Sequence, residues 1–428
     1  MYLRFLALTK KKDEPAEVVT GEDDAAFDSH IYAQGSVADF IDPAECKTCH
    51  ETIYNEWEKS MHNISGCTDK FHKKAKGKFK KLVTEKTGVG YFCSVCHAPM
   101  IEDMDSVLTN DKTLDCDNTT DEVRITCHFC HSATKIHQKN PLQVYELSVG
   151  SDVYGPGLAT VDSEKHGFGK SDLHAKPELC NGCHGYLINH KGKRACSLVG
   201  GDHPEWDGVT VCQDCHMERI EGGPTTESTR TDHFSHDMLA GHSGKENYFF
   251  GAGKYIDLGL EVTDIGEKLE AKVTVTNNTG HKLPGIFGTR RLVWKVMAFD
   301  AEGNELWNSI PADFPRPFKV ALKEQLEAGV EEIKLPPPSP EDIAFNQKYA
   351  WFKVYTANID PDGDGVPQDV IGVPTFLADS VFDDNRIGVG ESSIKKVDVD
   401  KNYNETAVKK LVAALVYRTL TCPKAVEM

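Results

Sequence analysis

Cys46-Lys47-Thr48-Cys49-His50 is a pattern that returns four times, as Cys93-Ser94-Val95-Cys96-His97, Cys127-His128-Phe129-Cys130-His131, Cys180-Asn181-Gly182-Cys183-His184 and Cys212-Gln213-Asp214-Cys215-His216. Each copy sets two thiols one short turn apart and an imidazole directly after the second. That spacing suits covalent attachment of a c-type haem, in which the sulfurs bond the porphyrin edge and the histidine reaches the iron from below. Zinc sites also use Cys-x-x-Cys, but they close with a second pair or a spaced His pair and have no use for a His after every copy. A redox disulfide leaves the same histidines unexplained. The expected cofactor is therefore haem c, five per chain.

The chain has 428 residues, of which 39 % are hydrophobic, and a net charge of −18. That is a thin apolar fraction for a large core, and tethered porphyrins would replace part of it. The acidity argues against nucleic acid and anionic membranes as partners. Redox proteins or other copies of the chain remain, with a homopolymer as one form. No stretch is long and apolar enough for a transmembrane helix. One basic run, Lys73, Lys74, Lys76, Lys78, Lys80 and Lys81, reads either as a solvated face or as a docking patch. Haem attachment of this kind takes place outside the cytoplasm, so a periplasmic or extracellular location is expected. The opening Met1–Thr9, followed by Lys10–Lys12, is too short for a secretory signal, so a leader is expected to be missing or misassigned. Cys67, Cys116, Cys196 and Cys422 lie outside the motifs, and their pairing stays open among the possible disulfides.

Three regions are expected: a flexible acidic arm over 1–40, a haem region over 41–245 and a β region over 246–428. The motifs recur irregularly, so equal solenoid repeats are excluded. The haem region reads as mostly loop with short α-helices, one of them over Glu51–Met61, where Ile53, Tyr54, Trp57 and Met61 share a face. Val149–Gly157 and Gly167–Gly169 read as glycine-rich loops, and Pro336–Pro340 as a stiff loop or edge element. Beyond residue 246, alternation at Leu269/Ala271/Val273/Val275 and Leu292/Trp294/Val296/Ala298, weaker alternation at Ile394/Val397/Val399 and the apolar run Leu411–Tyr417 predict an all-β, immunoglobulin-like sandwich.

A haem held by one His needs a second axial ligand to become six-coordinate and low-spin; left open, the iron becomes a site for small-molecule chemistry. The chain has 18 histidines, more than enough for five further ligands. The leading candidate is His62, in Trp57-x-x-Ser60-x-His62. Further candidates are His166 and His174 ahead of the fourth motif, His236 and His242 (with His233 nearby) after the fifth, and His281 at a strand end. His128, between the two cysteines of its motif, reads as exposed. His30 on the arm has no partner signal.

These residues resemble the secreted multihaem cytochromes c related to the tetrahaem cytochrome of ammonia oxidisers. The segments that carry the likeness are Trp57-x-x-Ser60-x-His62, Cys96-His97-Ala98-Pro99, Cys212–Met217, the His236/His242 segment, Gly280-His281-x-x-Pro284 and Asp384–Ile387. The resemblance implies closely packed haems acting as a wire. It also implies, for some relatives, extracellular filaments in which one subunit lends a histidine to the next.

Asp360-Pro361-Asp362-Gly363-Asp364-Gly365 has the spacing of a calcium loop, but Ile371 stands where the closing Glu belongs. Calcium through Asp360, Asp362 and Asp364 and a metal-free acidic turn are thus both open. Three functional classes follow. They are electron transfer with no catalytic side chain, reduction or oxidation of small nitrogen or sulfur compounds at one five-coordinate haem, and a β module that binds a surface or partner. All three require the tethered groups. The mass of the denatured holoprotein should show five thioether-linked tetrapyrroles, and a bare polypeptide mass would defeat the whole reading.

Overall fold

The computed structural model describes residues 31–34, 40–66, 69–100 except 89, 91 and 92, 124–139, 142–150, 152–157, 165–187, 189, 191, 193, 196–197, 210–238 except 226, 255–285, 290–316, 324–328 except 326, 337–360 and 365–418. Each motif forms or ends a short helix: Pro43–Lys47, Ser94–His97, Cys127–His131, Glu178–His184 and Cys212–His216. Asp42 caps the first, with Pro43 at its first position, and Thr126 caps the third through Phe129 N at 3.2 Å. The helix expected after the first motif runs Glu51–Glu58 and buries Trp57, whose Nε1 donates to Ile125 O at 3.0 Å.

Two sequence expectations change here. The presumed loops contain a parallel two-stranded ladder, Asp152–Gly155 with Gly167–Lys170. Glycine permits it: a Cβ on Gly169 would strike the Tyr154 ring. Likewise, Pro340 does not stiffen an edge but opens the helix Pro340–Gln347. Ser339 is the N-cap, and the Asp342 side chain accepts from Ser339 N at 2.9 Å, which completes a capping box.

The β region holds two antiparallel sheets that share one core. The first pairs Lys268–Asn277 with Ile256–Asp264 and Ser392–Asp400. The second pairs Arg291–Phe299 with Glu305–Asn308, Ala350–Trp351 and Lys410–Arg418. Ala271, Val273 and Val275 face Leu292, Trp294, Val296 and Ala298, as the period-2 alternation requires. Ile394 departs from that reading and is exposed. Val293 points away from this core into a second one with Phe314, Ile343, Phe352 and Val354. A third sheet joins Lys353–Ile359 to Gln368–Ile371 and Ser380–Asp384.

This region also walls the haem sites. Cys93 and Cys96 pack with Phe79, Val83, Tyr355 and Phe376, and Cys215 packs against the core that holds Leu283 and Ile387. Lys191 Nζ reaches Asp379 at 2.9 Å, and Asn189 Nδ2 donates to Ala378 O at 2.7 Å. Packing therefore crosses the expected boundary near residue 245, which itself lies outside the described residues.

Asn277 is fully buried and ties the turn that carries His281. Its Nδ2 lies within 3.0 Å of His281 O, Ile387 O and Gly388 O, and its Oδ1 accepts from Thr279 N at 2.9 Å. Asn277→Ala leaves these groups unsatisfied and should cost about 3 kcal/mol, read as a lower denaturation midpoint.

Candidate functional site

Two imidazoles bound to opposite faces of one iron have a fixed separation. Metal–nitrogen bonds of about 2.0–2.1 Å plus the distance from nitrogen to ring centre put the centroids about 6.3 Å apart. Three pairs have that span: His50–His166 at 6.4 Å, His62–His184 at 6.2 Å and His131–His236 at 6.3 Å. In each, one ring belongs to a motif and the other to a distant segment.

Backbone carbonyls aim the rings. Nδ1 donates to Pro224 O in His50 (2.9 Å), to Tyr154 O in His131 (2.7 Å), to Gly167 O in His166 (2.9 Å) and to Phe234 O in His236 (2.8 Å). This leaves Nε2 as the lone-pair nitrogen and points it at the metal position, the usual outer-shell arrangement of histidine ligands. The residues present thus fit a six-coordinate haem iron at the first, third and fourth motifs.

His62 is set by the helix before it. Ser65 Oγ donates to His62 O at 2.8 Å and accepts from Ile125 N at 3.1 Å. Trp57 bonds the same Ile125, so the segment lies along the approach to the third motif. His166 immediately precedes one strand of the parallel ladder, and Tyr154, whose carbonyl holds His131, lies in the other.

The second motif differs. His97 stacks on His72 at 4.6 Å and 14°, closer than the span across one iron. His72 Nδ1 donates to Gly66 O at 2.8 Å. Sequence reasoning missed His72, although it sits at the start of the lysine run, in the helix Lys70–Phe79. For the fifth motif, Cys215 and Leu283 share a core, which brings His216 and the His281 turn to one side of the sheets. His281 Nδ1 bonds Lys282 O at 3.0 Å.

Other expected residues fall elsewhere. His174 stacks on His131 at 5.4 Å, but its Nε2 bonds Cys130 O at 2.9 Å, so the nitrogen a haem would need faces a carbonyl. His128 is buried, not exposed: it is 1 % accessible, and its Nδ1 accepts from Ile41 N at 2.7 Å. His242 and His30 lie outside the described residues, as do Cys67, Cys116, Cys422, Asp362 and Asp364. Asp360 Oδ2 accepts from Gly365 N at 3.0 Å. Among the described residues, no group of three or more His, Cys, Asp or Glu is placed to hold a metal ion, and calcium gains no support.

Thiols of different motifs lie near enough to act on one another's ionisation: Cys127 on Cys46, Cys96 on Cys183, Cys212 on Cys180, and Cys183 on Cys130. In a haem-bearing chain these sulfurs are thioethers, so the contacts mark which attachment points are neighbours. The first motif adjoins the third, and the fourth adjoins the second, third and fifth.

Desolvation lowers the imidazoles. Burial brings His62 and His236 to about 4, with help from His184 and His131 respectively. His184 also falls to about 4, with His216 adding to desolvation, although the residue as a whole is exposed. These rings are neutral ligands at pH 7. Because the folded values lie below the ordinary 6.5, the unfolded chain binds more protons in between. Stability should hold above pH ~6.5, fall from there towards pH ~4 and fall no further from these groups below that. Denaturant titration across that range checks the sign.

Residues 45–132 match the family model described as cytochrome c554 and c-prime, a span that holds the first three motifs together with His62 and His72. No curated protein matches the chain. Its fold is similar to the crystal structure of a penta-haem cytochrome c552 from Thermochromatium tepidum, at a TM-score of 0.63 and 20 % identity over 92 % of this chain and 94 % of that one. No helix among the described residues is long and apolar enough to cross a membrane. The chain thus shares its fold with that penta-haem protein, and its first three motifs fall within the matched family model.

Proposed function

We propose that this protein transfers electrons through five covalently held haems, outside the cytoplasm, with redox proteins or further copies of itself as partners. The observation that carries this reading is the trio of histidine pairs at 6.2–6.4 Å. When bound, haem supplies a one-electron couple at its iron. The chain's own part is to hold two neutral nitrogens on that iron in both redox states, which keeps reorganisation small. His50 pairs with His166, His131 with His236, and His184 with His62. His216 takes His281, which the Asn277 clasp positions. The neighbouring thiols give the route: the first attachment site leads to the third, the third to the fourth, and the fourth branches to the second and the fifth.

The three-part division at about 40 and 245, and an immunoglobulin-like character for the paired sheets, belong to the same reading. The packed cysteines support a β region that serves as wall to two haems rather than as a detached module. Assembly into filaments would join these routes end to end.

A second reading has one observation behind it. His72 and His97 stand at 4.6 Å, so the second motif lacks the span the other three pairs share. If any iron keeps an open face for nitrogen or sulfur substrates, it is that one. Electron paramagnetic resonance of the oxidised holoprotein separates the two readings. Electron transfer alone expects five low-spin irons. A high-spin iron that shifts on adding nitrite or hydroxylamine, and that is lost in Cys93→Ser/Cys96→Ser, would replace it with the reductase reading. As a check on the pairing, His62→Ala should convert one low-spin iron to high-spin.

A further inference from the structure

Glu56 lies on the helix that follows the first motif, yet its side chain turns inward and is only 12 % exposed. Its two oxygens grip two points of one distant segment. Oε1 is hydrogen-bonded to His233 Nε2 at 3.1 Å, and Oε2 accepts from His236 N at 2.9 Å. His233 is 1 % exposed, and its Nδ1 donates to Gly222 O at 2.8 Å. It therefore spends both ring nitrogens on protein and has none for a metal. Gly222 has φ +118°, a conformation that favours glycine, so the carbonyl His233 needs depends on that residue.

His236 follows the hairpin Arg219–Glu221/Asp232–Phe234 in irregular chain. Its own Nδ1 bond to Phe234 O sets ring rotation. It does not set where the backbone stands relative to His131. The Glu56 contact does, because a carboxylate accepting a backbone N–H is shorter-range and stronger than a neutral acceptor.

We propose that Glu56 is the positioning residue for the sixth ligand of the third-motif haem, with His233 as the strut that holds the carboxylate. The inference rests on His236 being that ligand. It explains why a largely buried carboxylate stands between an imidazole, that of His233, and a backbone N–H, that of His236. It also joins neighbouring sites: the helix that leaves the first motif carries the clamp for the third, whose Cys127 lies near enough to Cys46 to shift its ionisation.

The test uses the oxidised and reduced holoprotein of His236→Ala, Glu56→Ala, Glu56→Asp and Glu56→Gln. The readouts are the high-spin resonance and carbon monoxide binding per chain. His236→Ala should give one high-spin, carbon monoxide-binding iron. Glu56→Ala should open the same iron in part, with sixth-ligand binding weakened roughly 10–100-fold, as loss of outer-shell partners does at metal sites. Glu56→Asp, shorter by one methylene, should do so to a lesser degree and covers the case in which Glu56→Ala does not accumulate. Glu56→Gln keeps an oxygen for His236 N–H and should stay low-spin. Wild-type spectra in Glu56→Ala and Glu56→Asp, beside a high-spin His236→Ala, would overturn the clamp alone. Five low-spin irons in His236→Ala would instead remove the ligand assignment beneath it.

Discussion

A backbone carbonyl facing Nδ1 of an imidazole is the contact on which this structure turns. It fixes the tautomer, holds the ring plane and leaves one nitrogen for iron. Pro224, Tyr154, Gly167 and Phe234 provide it for His50, His131, His166 and His236. None of these acceptors lies in a long helix, where carbonyls are already used. The ligands need carbonyls that point out of the ladder, and those occur at strand ends, two-stranded ribbons and loops. Sparse secondary structure in the haem region thus follows from the task. His233 shows the contrast: it has the same Nδ1 contact, but its other nitrogen goes to Glu56, and it becomes a structural post.

The pairs also decide how the chain is tied together. His166 meets His50, His236 meets His131 and His62 meets His184, each across a long stretch of sequence. An iron between two such rings is a cross-link, and cross-links of long loops restrict the unfolded chain most. This compensates for the thin apolar fraction. Where side chains do form cores, they gather around attachment points. Phe129, Tyr145 and Leu147 pack with Cys130 and Cys183. Gly182, inside the fourth motif, lets that helix lie directly on the Tyr145 ring, and Tyr145 Oη donates to Leu179 O at 2.6 Å.

Legibility in the sequence divides along the same physics. The attachment motifs could be read because porphyrin geometry dictates residues adjacent in sequence. The strands could be read because a half-buried sheet imposes period 2. His62 and His236 stood out as histidines without local work, but nothing in the sequence said which iron each approaches, since that depends on which loops meet. His72 stayed hidden because a lysine run reads as a solvated face. The face opposite those lysines carries Phe79 and Val83, both fully buried, and the helical spacing of Phe79 and Val83 was the available signal. His174 lies beside a haem site with Nε2 on Cys130 O, while its Nδ1 is buried without a hydrogen-bond partner. His128 was misplaced because its position between two cysteines says nothing of Ile41, whose N–H it accepts.

The second motif is where these rules strain. Its cysteines sit in an apolar wall between Phe79, Val83 and Phe376, and burial drives His97 down to about 3. A desolvated site favours a neutral ring, and Lys76 near His72 pushes in the same direction. His72 stacks on that ring instead of standing across from it. Three pairs keep the span that a six-coordinate iron imposes, so the shorter one reflects local packing rather than a general collapse of the region. The helix that carries His72 turns Lys73 and Lys78 to solvent, so the buried imidazole and the exposed lysines are two faces of one element.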